Sequence, residues 1–403
     1  NTSPASPSSV GRWRVSAVPR LSFTDDEGLG LGVRGTAFWY RHDAKPYKTA
    51  LSAQAFATSN GVHQHFVRVD AIDAVGLPIR LTAEVGYLQT LNFHVCWRDG
   101  QEVCGTTSTN PVQRPEARQA ADVSRYFQHR YLQPYAHAAA RWRLGAKPHQ
   151  PELAASWRGN VYVPGTLNDD DADGKPDLKP YPGSVYAQQF PDGEPGLSSV
   201  LQVGALLDGR DHEPDPVRGY LLQVALRASH PLWGSAWRST GAHIGLRWYA
   251  PLTRSGRVSL ASHFFIDALH GAVPTVELGR IGGFAETFAF GGPDVGRGIR
   301  QQRYLGAGKA AGQWELRTEL GEARLASEHF RFRLVGFFDA GLSAARLEDV
   351  ISGDPLAAPA LQFGTGIGLR VVWNRNFVMR IDVAVSPAEG YRPFLYTRPD
   401  HPF

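Results

Sequence analysis

The chain has 403 residues with 42 Lys+Arg against 38 Asp+Glu, and a net charge of +4 implies no polyanionic partner such as nucleic acid. No run approaches the roughly 18 consecutive apolar residues of a membrane helix. Gly 43, Pro 28 and 11% aromatic residues instead fit an all-β chain with many turns, and low overall hydropathy does not exclude a membrane barrel, whose strands alternate lipid-facing and lumen-facing residues.

The sequence opens at Asn1 and its single methionine is Met379, which reads as an exported protein that has lost a signal peptide. Residues 1–12 form a flexible Ser/Pro-rich segment with nothing to bury, and 13–403 one barrel domain. Period-2 alternation predicts strands near 13–24, 28–41, 47–58, 62–73 and 79–91. Further strands are expected near 135–145, 152–163, 197–208, 217–229, 239–252 and 256–269. The series ends with 308–321, 328–341, 361–373, 377–386 and 391–400. About sixteen strands of about ten or more residues suit a transmembrane antiparallel barrel.

The faces separate by charge. In 328–341, Phe330, Phe332, Leu334 and Phe338 oppose Arg331, Arg333 and Asp339. In 377–385, Phe377, Met379, Ile381, Val383 and Val385 oppose Arg380 and Asp382. Loop lengths separate as well: every second connection is short, and the long ones (92–134, 164–196, 270–307, 342–360) all fall in the other set. Outer-membrane barrels have short periplasmic turns and long extracellular loops, so these loops are expected outside and both ends of the chain inside.

Loop 92–134 carries Cys96 and Cys104 around an Asp99-Gly100 turn, a spacing that predicts a disulfide and an oxidising compartment. Val123, Phe127 and Tyr131 repeat at helical spacing there, with Asp122 or Ser124 as a cap. Loop 164–196 carries "DDDADGKPD". Asp169, Asp171, Asp173 and Asp177, with Gly174 at the turn, resemble the opening of a calcium loop, although Pro180 stands where a bidentate Glu is expected. Ca2+ is the one cofactor this suggests. His137 shares a lumen face with Arg141 and Arg143, but no nucleophile, base and orienter assemble around it, and no enzyme is expected.

The stretch "PTVELGRIGG" (Pro274–Gly283), then "GGPDVGRGIRQQRYLGAG" (Gly291–Gly308), "GQWELRTEL" (Gly312–Leu320) and "GFFDAG" (Gly336–Gly341) resembles the C-terminal half of the BamA-type outer-membrane assembly and translocation superfamily, which includes bacterial surface antigen barrels and two-partner-secretion transporters. The resemblance implies a sixth extracellular loop folded into the lumen. Its tip would be Gly296-Arg297-Gly298-Ile299, with Arg297 on the wall residue Asp339 and Glu315 or Glu319 as second partner. Burial supports that assignment, because a lumenal guanidinium needs carboxylates and its planar fork suits two of them. Ile299 and Gly296 depart from the family's aromatic and Val, and the periplasmic POTRA domains are expected to be absent. Prolines 19, 393, 399 and 402 in the closing strands suggest a weak, openable seam.

The function implied is insertion or translocation of protein, or of lipid, at the outer membrane. A passive or plugged pore and a barrel anchor for a partner protein are the alternatives. The expected surroundings are outer-membrane lipid and lipopolysaccharide, with a periplasmic or surface protein in place of the POTRA domains.

Overall fold

The structure, a computed structural model, describes residues 11–24, 27–41, 46–94, 97–98, 101–102, 125–145, 149–167, 173–284, 287–288, 290–326, 328–351, 361–374, 377–399 and 401–403. Sixteen antiparallel strands close into a barrel. They are β1 Arg12–Thr24, β2 Gly28–Tyr40, β3 Thr49–Thr58, β4 His63–Ala71, β5 Ile79–His94, β6 Gln128–Arg143, β7 Gln150–Pro164 and β8 Gly196–Asp208. The second half is β9 Gly219–Ser229, β10 Ser239–Pro251, β11 Val258–Gly271, β12 Gly308–Leu325, β13 Glu328–Ala344, β14 Gln362–Trp373, β15 Phe377–Val385 and β16 Phe394–Pro399.

The burial pattern is inverted relative to a water-soluble protein. On β13, Leu334 and Phe338 are exposed while Arg333 and Asp339 are buried. On β10 and β11, Ile244, Leu246, Trp248, Phe264 and Ile266 are likewise exposed. A continuous outward band of this kind would aggregate in water and is at home only in lipid. The alternation that predicts the strands therefore also sets their membrane face.

One predicted element is corrected. Tyr131 lies in β6, which starts seven residues earlier than the period-2 pattern indicates, and Phe127 sits in the turn before it. The run Gln128–Pro134 mixes polar and aromatic residues without alternation because almost all of it is buried, against the long loops above. Asp122, Val123, Ser124, Cys96 and Cys104 lie outside the described residues.

The seam between the first and last strands is narrow. β1 pairs with β2 over its whole length, but with β16 only through Ser22–Tyr396 and Phe23–Leu395. Just below these pairs, the Thr397 hydroxyl bonds to both the N–H (2.6 Å) and the C=O of Leu21. Among the described residues, β1 has no strand partner on that side from Arg12 to Leu21. β16 is six residues long and Pro399, which cannot donate to a ladder, ends it. Phe403 does not continue the strand. It turns into the lumen and packs against Tyr249 and Ala261.

Candidate functional site

The connection from β11 to β12 folds into the barrel rather than out of it. Its short helix Thr275–Leu278 sets Glu277 against the wall, accepting from Arg158 Nη2 (2.6 Å), Asn160 Nδ2 (3.0 Å) and Ser198 Oγ (3.0 Å). Val276 and Leu305 join Leu88, Tyr131, Tyr162 and Tyr186 in an apolar cluster with the loop before β8. A loop that buries this much is held as firmly as a strand.

At the tip, Arg297 is fully buried. Its Nε and Nη2 donate to Asp339 at 2.9 and 2.8 Å, and its backbone N–H reaches the same carboxylate at 2.9 Å. Nη1 donates to Glu315 at 2.7 Å and lies 3.5 Å from Asp382. The guanidinium also sits 3.6 Å from the centre of the Phe337 ring, the geometry of a cation–π contact. Arg370 shares Glu315 (2.7 Å) and also bonds Asp382, while Arg317 Nε holds the other Glu315 oxygen at 2.9 Å. Arg380 donates to the loop's Pro293 carbonyl (2.7 Å), to Asp382 (3.4 Å) and to the loop's Asp294. Four guanidinium groups thus face four carboxylates across the loop, β12, β13, β14 and β15. Matched charge is what makes such a dry cluster tolerable.

Two glycines make the approach close enough. Gly298 has φ +89, and a Cβ there would lie 2.7 Å from the Val385 backbone. Gly364 on β14 leaves room for the Arg297 carbonyl, which a Cβ would strike. Gly298→Val is therefore expected to expel the tip, read as new trypsin cleavage at Arg297, Arg300 and Arg303 in the folded barrel.

Of the residues singled out in the sequence, Arg297, Gly298, Asp339 and Glu315 meet at this site. Glu319 does not. It shares the lumen face with Glu315, but four residues along a strand is roughly 13 Å. Its carboxylate lies 3.7 Å from Arg257 near the short-turn end. Asp173 is exposed and accepts from the Lys175 N–H (2.8 Å), an Asx turn. Asp169 and Asp171 lie outside the described residues. Among the described residues, no group of three or more His, Cys, Asp or Glu side chains is placed to hold a metal.

Other contributors carry weaker sequence signals. Arg300 Nε and Arg303 Nη1 both donate to Glu389 (3.2 and 2.7 Å), in the turn between β15 and β16. Gly298 N–H reaches the Tyr396 hydroxyl on β16 (3.3 Å). Alternation alone puts Arg370, Arg380 and Asp382 on the lumen face; Glu277 and Glu389, in irregular turns, have no such marker.

The Omp85 superfamily domain matches residues 79–391, a span that takes in the β11–β12 loop and its partners Asp339, Glu315 and Glu389. The chain belongs to the Omp85 superfamily. The fold agrees with solved Omp85-type barrels. BamA from Haemophilus ducreyi lacking POTRA domains 1–3 superposes with a TM-score of 0.54 at 10% identity, over 96% of this chain and 70% of that one. CdiB from Escherichia coli superposes with a TM-score of 0.56 at 10% identity, over 96% of this chain and 62% of that one, so the chain spans less than two thirds of CdiB. Comparison with characterised protein sequences gives no match. Family and fold place the barrel in the bacterial outer membrane, as a barrel of the insertion and translocation class.

Proposed function

We propose that this Omp85 barrel passes polypeptide into or across the outer membrane, with the β1–β16 seam as a lateral exit and the Arg297 loop as the catch that governs it. The observation that carries this reading is the link between lock and seam. The tip that places Arg297 on Asp339 and Glu315 also places Gly298 on Tyr396, one of two β16 residues paired with β1 among the described residues. A wall bonded along its whole length would have no such weak line. In this one, the ladder is thinnest along the seam, and the loop is attached at one of its remaining pairs. A protein partner on the periplasmic side or the surface would supply capture of cargo.

Crosslinking the seam tests the proposal. Phe23 and Leu395 are opposite one another and face outward, so Phe23→Cys with Leu395→Cys can be joined by oxidation. In cells, the oxidised pair is expected to deplete specific polypeptides from the outer membrane or the medium. Reductant should restore them, and wild type under the same treatment should keep them. An unchanged proteome with a steady large conductance in planar bilayers would sink the reading in favour of a passive pore.

A further inference from the structure

The lumen is closed a second time, on the short-turn side of the lock cluster, whose Arg317 Nη1 reaches the Pro216 carbonyl of the β8–β9 turn at 3.5 Å. We propose that this turn, Gly209–Arg218, is a strap across the periplasmic mouth which, with His401 and Phe403, seals the lumen through wall anchors of its own.

A turn that only reversed the chain would lie in water at the rim. This one is pinned to opposite walls. Glu213 accepts from Arg80 Nη1 on β5 (2.6 Å). Asp215 pairs with Arg333 and, at 3.6 Å, with Arg331, both on β13. In a ring of sixteen strands, β5 and β13 stand eight apart, diametrically across the barrel.

The anchors are themselves fixed. Arg80 makes a bidentate pair with Asp70 (Nε–Oδ1 2.9 Å, Nη2–Oδ2 2.7 Å), whose Oδ2 also accepts from Tyr47 (2.8 Å). The strap is preorganised too. Asp211 Oδ1 accepts the N–H groups of His212, Val217 and Arg218 at 2.9, 3.1 and 3.2 Å. Pro214 and Pro216 fix the backbone on either side of Asp215, so little entropy is lost in holding it.

The segment after β16 completes the seal. His401 Nε2 is 3.2 Å from Asp215 Oδ1, and Phe403 packs on Tyr249 with its ring centre 5.5 Å from that of His263. Burial alone would raise the Glu213 and Asp215 carboxyls. Arg80, Arg210 and Arg141 around the first, and the His401 hydrogen bond with Arg333 and Arg331 around the second, outweigh it and hold both well below the usual carboxylate range. Both pins are therefore charged at neutral pH.

Between the closures lies a cavity of about 570 Å³. Glu213, Pro216 and Phe403 form its floor, and Phe284 and Asp294 of the lock loop reach its roof. Passage along the lumen requires the strap to move as well as the loop. Lateral exit through the seam does not. This closure holds whether or not the barrel handles polypeptide.

Thr36 lines the cavity, and among the described residues its hydroxyl bonds Ser52 on the adjacent strand (3.0 Å), so Thr36→Cys gives a lumen reporter. The purified barrel is treated with a sulfonated fluorescein maleimide, and labelling at position 36 is followed by peptide mass. One strap variant is Glu213→Gln with Asp215→Asn. A second replaces 212–217 by Asn-Gly, a two-residue hairpin already framed by the Asp211 N–H to Arg218 C=O bond (3.0 Å).

With the lock intact, both variants are expected to label at least about tenfold faster than the Thr36→Cys parent. Heat-modifiable mobility identifies folded material, and the hairpin replacement decides where both fold. Labelling of that variant at the parental rate, or a parent that labels as fast as a free thiol, overturns the strap. Neither result bears on the seam-crosslinking outcome, so the two proposals fail separately.

Discussion

Arg297→Ala is expected to destabilise the folded barrel by about 3–5 kcal/mol, the usual cost of removing one member of a buried charge cluster. The loss comes less from the missing bonds than from what they leave behind. Asp339, Glu315 and Asp382 are all fully buried, and three remaining guanidinium groups would face four carboxylates. Asp339 would lose three donors at once, including the Arg297 backbone N–H if the tip withdraws.

The first readout is the temperature at which heat-modifiable mobility is lost, and the second is trypsin cleavage within 291–308. Arg297→Lys should fall between the variants, because an ammonium keeps the charge but cannot fork onto Asp339 and Glu315 together. Arg297→Ala with Asp339→Ala should be less damaging than the sum of the single changes, since each removes the other's orphan. A melting temperature for Arg297→Ala equal to wild type would mean the cluster is balanced without the loop, and the lock would be no lock.

The barrel was legible in the sequence because alternation is a local property. Phe330, Phe332, Leu334 and Phe338 opposite Arg331, Arg333 and Asp339 declare a strand, its membrane face and its lumen face in one stretch. Arg297, Asp339 and Glu315 could be brought together because a known loop pattern fixed one end and strand parity the other. Distance along a strand is harder to judge. Parity admits Glu319 as readily as Glu315, and only the inter-strand stagger, with the irregularity between Glu319 and Gly321, separates them. The strap was illegible for a related reason. "GRDHEPDP" has the length of a periplasmic turn and the composition of a solvated one; its partners Arg80 and Arg333 are more than a hundred residues away on either side. Pairings with no periodicity and large sequence separation leave no mark in a single sequence.

Glu389→Ala should loosen the seam while leaving the Arg297 cluster in place. Glu389 is the shared acceptor of Arg300 and Arg303, and it also takes the Arg300 backbone N–H at 3.2 Å. It sits in the turn Pro387–Glu389, capped by Ser386, five residues before β16 begins. The loop thus grips the barrel beside its shortest strand, and that strand has the fewest partners.

Truncation would take from two buried cations the carboxylate they share, while Arg303 Nη1 keeps the Ala388 carbonyl at 2.8 Å. Relaxation of the turn would disperse part of the cost. A local loss of about 3 kcal/mol corresponds to roughly a hundredfold faster exchange of the β16 amides. Hydrogen exchange by mass spectrometry over 394–399 measures it, with β8, eight strands away in the ring, as the internal control. Glu389→Gln should have a smaller effect, because the amide keeps an acceptor but not the charge. If β16 exchanges in Glu389→Ala as in wild type, or if it is already as protected as β8 in the native barrel, the loop does not hold the seam. The exit would then have to be sought along the lumen, past the strap.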